Sequence, residues 1–175
     1  MNVFILNAGR CGSTTFIKSC QHIDNYTAAH ESRTTFVGED RLSYPDNHIE
    51  ADNRLSWFLD RLDKLYGNNA IYVHLLRNRN DNINSFMNRT EFGIMKAYRE
   101  GVYLTETQDN LQVYATDYVD TVNSNIEHFL KDKKHTMRFH LEHAKEHFTD
   151  FWKMIAAEGN IQSSLNEWDT RYNPS

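Results

Sequence analysis

Short continuous apolar runs alternate along this chain with longer stretches in which apolar residues recur every three or four positions. Val3–Leu6 is a run of the first kind, the pattern of a strand covered on both faces. Ser13 to about His22 predicts a helix with Thr15, Phe16 and Cys20 turned inward, and Asn25–Ala29 predicts a weaker second strand. Residues 32–52 carry Gly38, Pro45 and many polar groups, and predict loop with at most a short helix. Leu55, Phe58, Leu59, Leu62 and Leu65 return at helical spacing, and "YGNN" stops that helix at Gly67. "IYVHLL", Ile71–Leu76, is the strongest strand, and "RNRNDNINSFMNR" leads from it into another helix. Asp109–Leu130 predicts a long helix with Leu111, Tyr114, Tyr118, Val122 and Phe129 on one stripe. "HTMRFH" is the last strand, and Leu141, Ala144, Phe148, Phe151 and Ile155 mark an amphipathic helix ending near Gly159.

Strand and helix alternate without a repeat or a linker. That order predicts one three-layer α/β domain over residues 1–175, a parallel sheet of about four to five strands with helices on both faces. Such sheets bind ligands at the carboxyl ends of their strands, which directs attention to the turns after Leu6 and Leu76. A chain of 175 residues is long enough to bury roughly 70% of its unfolded surface. Its 39% apolar and 13% aromatic content supplies the core, and seven glycines with two prolines exclude a collagen-like or low-complexity chain.

Charge and cysteines narrow the function. The formal charge of −5 predicts no bulk attraction to nucleic acid or to acidic membranes, so an anionic ligand must be captured by local arrangement. No 18-residue apolar run is present, so no membrane span is expected. The start "MNVFILNAGR" lacks the basic opening and long apolar stretch of a signal peptide, and a cytoplasmic protein is expected. Cys11 and Cys20 lie on one strand-turn-helix segment, too far apart to bridge, and two cysteines alone predict no metal site.

The first turn, "NAGRCGSTTF", combines Gly9 and Gly12 with Arg10, Ser13, Thr14 and Thr15 ahead of a helix. A helix N-terminus offers unpaired N–H groups and about half a positive charge, and glycines let a phosphate approach the backbone. Hydrogen bonds to charged groups contribute about 1.5–3 kcal/mol each, so four or five would hold a phosphate firmly. The alternative is an ordinary strand-helix turn capped by Ser13 or Thr14. An ATP-type loop, GxxxxGK[ST], does not fit, because counting from Gly9 places Thr14 and Thr15 where the second glycine and the lysine belong. A cysteine-phosphatase loop fails as well, with Ile17 where its arginine should stand and Asn7 at the strand end.

The second turn is basic. The strand ends in Arg77 rather than in a magnesium-holding aspartate, and Ser85 follows two helical turns later. The pair points to a second anion site beside the first. Arg79 is read instead as a surface ion pair with Asp81 or Asp40, which contributes little.

Together the two segments resemble the PAPS-dependent sulfotransferases, where PAPS is 3′-phosphoadenosine 5′-phosphosulfate. Their 5′-phosphosulfate loop, "PRSGSTLL" or "PKSGTTW", is similar to "GRCGSTTF", Gly9–Phe16, with Gly9 for the usual proline and Cys11 for the usual serine. Their 3′-phosphate motif, a strand-end arginine with a serine eight positions on, is similar to "LLRNRNDNINS", with Asn78-Arg79 where Asp-Pro is common. The tail "MRFHLEHAKEHFTDFWKMIAAEG" followed by "LNEWDTRYN" also resembles bacterial members.

The resemblance implies a P-loop-like nucleotide fold, PAPS as co-substrate and PAP as product, with no metal. It implies that the amides of Cys11–Thr15 and the hydroxyls of Ser13 and Thr14 hold the 5′-phosphate. Arg10 would stabilise charge growing on the bridging oxygen, and Arg77 with Ser85 would bind the 3′-phosphate. The acceptor would be a hydroxyl on a small molecule, glycan, lipid or peptide, contacted from residues 32–52 and 88–108. Its proton needs a base. Glu31, twenty-one residues after Arg10, fits the glutamate of several branches of the family, and the adjacent His30 fits the histidine of others. Glu31 could instead pair with Arg33 or Arg10. Two rivals remain open: an ATP-dependent, kinase-like phosphotransferase of the same fold, and a relative that binds nucleotide or a partner without turnover.

Other features carry less. His140, His143 and His147 lie near helical spacing but lack the glutamate of HExxH, and are read as a solvated helix face. Trp57, Trp152 and Trp168 are expected in the core or a lid, with Trp168 and Tyr172 as possible pocket residues.

Overall fold

The computed structural model describes residues 1–105, 109–170 and 172. Five parallel strands form one sheet in the order β2-β3-β1-β4-β5. They are β1 (Asn2–Leu6), β2 (Thr27–His30), β3 (His48–Ala51), β4 (Ala70–Leu76) and β5 (Thr136–His140). The helices are α1 (Ser13–Cys20), α2 (Leu59–Tyr66), α3 (Arg79–Met87), α4 (Gly93–Ala97), α5 (Leu111–Leu130), α6 (Ala144–Met154) and α7 (Ile161–Asn166).

β1 is central and wholly buried, so its side chains divide between two cores. Phe4 and Leu6 face one side, where Tyr72, Leu62, Ile83, Phe86, Tyr118, Val122 and Ile126 pack from β4, α2, α3 and α5. Val3 and Ile5 face the other, where Phe16, Cys20, Phe139, Phe148 and Phe151 pack from α1, β5 and α6. Phe16 meets the rings of Phe139 at 5.0 Å, Phe151 at 5.0 Å and Phe148 at 5.6 Å, all edge-on, which fixes α1 against the sheet.

The predicted three-layer architecture is therefore the one observed. One strand departs from expectation: β3 lies inside residues 32–52, where the polar pattern predicts loop. "HIEA" is four residues long, and its His48 and Glu50 are buried polar groups rather than solvent-facing ones. Periodicity therefore misreads it. β2 begins two residues later than predicted, and α1 ends at Cys20 rather than His22. Cys11 and Cys20 are both buried and free. Among the described residues no helix is long and apolar enough to cross a membrane.

Candidate active site

The turn after β1 is held from beneath by buried donors. Asn7 donates to Ile5 O at 3.1 Å and accepts from Gly9 N at 2.8 Å. Tyr118 donates to Ala8 O at 2.8 Å, and Asn82 of α3 donates to Gly9 O at 2.8 Å. Three residues of the turn are left-handed, Gly9 at φ 95°, Arg10 at 59° and Gly12 at 88°. At Gly12 a side chain would be strained twice, since its Cβ would also lie 2.7 Å from Leu141 Cδ1. The N-cap position of α1 is Gly12 rather than Ser13 or Thr14, and it makes no side-chain cap hydrogen bond. The Ser13 hydroxyl instead meets His30 Nε2 at 2.9 Å. Cys11 points inward, its thiol donating to Gly9 O at 3.1 Å, and burial pushes its pKa up to about 12. Only the backbone of Cys11 is therefore suited to a ligand, and its thiol stays protonated.

The strand-end arginine meets this turn directly. Arg77 Nη1 donates to Arg10 O at 3.2 Å, and Arg10 Nε donates to Ser85 Oγ at 3.1 Å. Helical spacing places Asn82, Ser85 and Phe86 on one face of α3, all turned toward the first turn. The residues of the two predicted anion sites thus form one contact chain. Asn78 caps α3, accepting from Asn80 N and Asp81 N. Arg79 forks onto Asp120 at 2.6 and 2.7 Å; its partner is neither Asp81 nor Asp40, because α5 brings Asp120 alongside.

Across the cleft stand the ends of β2 and β3. Glu31 has φ 52° and lies 3.0 Å from Arg54 Nη1, so its partner is Arg54 rather than Arg33 or Arg10. Asp52, just past β3, is fully buried, bonded to Arg41 and to the amide of Arg54. Burial raises its pKa, opposed by the Arg54 amide and by Arg41. A strand neighbouring β1 does therefore end in an aspartate, which went unseen with β3, but that carboxylate faces Arg41 instead of the cleft.

The cleft has a volume of about 660 Å³. Gly9, Arg10, Gly12, Ser13, Thr14, Thr15, His30, Glu31 and Arg77 line it, whereas Cys11 and Ser85 lie beneath the surface. Arg89, Phe92, Gly93, Ile94 and Met95 form one wall, within the predicted 88–108 region. Residues 32–52 contribute nothing to the lining; Arg54, Leu141, Trp168–Thr170 and Tyr172 do instead. Arg54 and Asn53 were missed because they follow the unrecognised strand. The part of the 88–108 expectation that covers residues 106–108 lies outside the described residues.

Trp168 packs on Phe139 and Phe16, joining the core to the cleft, while Trp57 is 47% exposed and belongs to neither. His147 accepts from His140 N at 2.9 Å, and among the described residues no three or more His, Cys, Asp or Glu are grouped to hold a metal ion.

No protein-family model matches the chain, and no curated protein matches it. Among solved structures it is similar to the sulfotransferase domain from the curacin biosynthetic pathway, with a TM-score of 0.65 and 13% sequence identity. The similarity covers 97% of this chain and 78% of that one. At that identity the likeness is one of fold.

Proposed function

We propose that this chain, which has the fold of a sulfotransferase domain, is itself a sulfotransferase that moves a sulfuryl group from PAPS to an acceptor hydroxyl without a metal ion. The observation that carries this reading is the contact chain Arg77–Arg10–Ser85 at the mouth of β1 and β4, facing Glu31 across the cleft. Guanidinium, hydroxyl and backbone N–H groups dominate that side of the cleft, and all donate hydrogen bonds. Such a donor set suits phosphate and sulfate oxygens.

In this reading the amides from Cys11 to Thr15, with the Ser13 and Thr14 hydroxyls, hold the 5′-phosphate at the start of α1. Arg77 holds the 3′-phosphate, and Ser85, beneath the surface, contributes through its bond to Arg10. PAPS supplies an activated sulfuryl group on a phosphate leaving group. Arg10, lying between the two phosphate sites, stabilises the charge that grows on the bridging oxygen as its bond to sulfur breaks. Glu31 takes the acceptor's hydroxyl proton as that oxygen bonds to sulfur, and Arg54 holds the carboxylate in place. His30, bonded to Ser13, is the alternative base. The wall of Phe92, Ile94 and Met95 offers the acceptor an apolar surface.

The rival reading, phosphoryl transfer from magnesium-bound ATP, calls for a strand-end acid open to the cleft. Asp52 occupies that end of β3 but is engaged by Arg41 and the Arg54 amide. Calorimetry separates the two. PAP should bind in EDTA and more tightly than 5′-AMP; tighter binding of magnesium-ATP than of PAP refutes the proposal. Glu31→Gln should lower transfer by about 10²–10⁴-fold while PAP affinity is kept, whereas unchanged turnover removes Glu31 from the role. A chain that binds PAP and transfers nothing is a binding protein.

A further inference from the structure

β3, between β2 and β1, carries a carboxylate into the interior. Glu50 is 0% exposed and sits in register with Ala29 of β2. It accepts from Ser32 N at 2.8 Å, from Ser32 Oγ at 2.6 Å and from His48 Nε2 at 3.0 Å. His48 Nδ1 in turn meets Thr27 Oγ1 at 2.8 Å, and its ring stacks on Tyr44 with centroids 5.5 Å apart. With Nε2 donating to the carboxylate, Nδ1 accepts from the threonine hydroxyl. A line of hydrogen bonds therefore runs from the start of β2, through β3, to the turn that follows β2.

That turn contains Glu31. Its left-handed backbone costs roughly 1–2 kcal/mol for a residue with a side chain, so something must hold it there. Glu31 N donates to Ala51 O at 3.0 Å, and Thr34 donates to Glu31 O through its amide at 3.4 Å and its hydroxyl at 3.1 Å. Ser32, the next residue, is held at two atoms by Glu50 alone. Stability does not require a buried carboxylate here, because well-packed apolar groups of similar volume commonly serve as well. What the carboxylate adds is a fixed position for the residue beside Glu31.

We propose that Glu50 is a positioning residue for the base. It acts through Ser32 to hold the Glu31 carboxylate against Arg54 and facing the acceptor side of the cleft. The inference rests on the sulfotransferase reading of the same site.

The test uses sulfur-labelled PAPS at saturation with a soluble cell extract as the acceptor source, alongside PAP calorimetry. Glu50→Gln and Ser32→Ala should each slow label transfer, by about 10- to 100-fold for the glutamate, as expected for a reacting group displaced by about an ångström. PAP affinity should stay within about twofold, since no residue of the line touches the phosphate turns. In a Glu31→Gln background, Glu50→Gln should cost nothing further. Wild-type rates in both variants overturn the inference, as does an equal loss with and without Glu31. If Glu50→Gln fails to fold, Ser32→Ala decides alone, because Ser32 is exposed and leaves β3 intact. Failure of the unaltered chain to bind PAP or to transfer label refutes the underlying function instead.

Discussion

Arg77→Ala tests the joint between the two turns. Arg77 is half-buried just past the end of β4. Its guanidinium donates to Arg10 O at 3.2 Å. The substitution therefore removes two things: the donors proposed for the 3′-phosphate, and a tether on the left-handed Arg10. Two charge-assisted hydrogen bonds at about 1.5 kcal/mol each come to about 3 kcal/mol. With about 1 kcal/mol added for the lost tether, and at 1.4 kcal/mol per tenfold, PAP should bind roughly 700-fold more weakly. A nucleotide lacking the 3′-phosphate loses only the tether, about 1 kcal/mol or roughly fivefold. Arg77→Lys should fall between the two, since it keeps the charge without the fork. Calorimetric titration of both nucleotides against wild type and variants measures the difference. Equal losses for the two nucleotides would refute the assignment of Arg77 to the 3′-phosphate, as would an unchanged PAP affinity.

Two further outcomes concern the scaffold. Phe16→Ala removes a fully buried ring in edge contact with Phe139, Phe148 and Phe151, so unfolding should cost about 3–5 kcal/mol less, measured by denaturant titration. A loss under about 1 kcal/mol would mean that α1 is not held by this ring cluster. Burial raises the pKa of Cys11 to about 12 and that of Cys20 well above its ordinary value. Both thiols should therefore resist iodoacetamide at pH 8 until the protein is denatured, and rapid labelling of the native chain contradicts their burial. The same shift sets the sign of a pH effect. Above the ordinary thiol range the unfolded chain releases these protons and the folded one does not. Stability should then fall as pH rises toward 12 and be fully present below that range.

Much of the fold was legible because its signals are local. β1 and β4 are continuous apolar runs, α5 and α6 carry apolar stripes, and Arg77 with Ser85 shows its spacing on the chain itself. β3 was not legible, since a strand that buries His48 and Glu50 has a polar pattern. Arg54 and the buried Asp52 went with it. The ion pairs of Glu31 and Arg79 are to Arg54 and Asp120, not to the Arg33, Arg10, Asp81 or Asp40 that the sequence offered, because packing of separate elements sets them side by side.

The chain's own pattern determined that parallel strands would alternate with helices, and that two donor-rich turns would lie at their carboxyl ends. Periodicity and turn chemistry act over a few residues, so one sequence suffices to read them. Only the tertiary structure decided that β4 lies beside β1 and β3 on its other side, because strand order is set by packing between distant segments. That order joins Arg77 to Arg10 and sets Arg54 against Glu31, contacts that no spacing along the chain encodes.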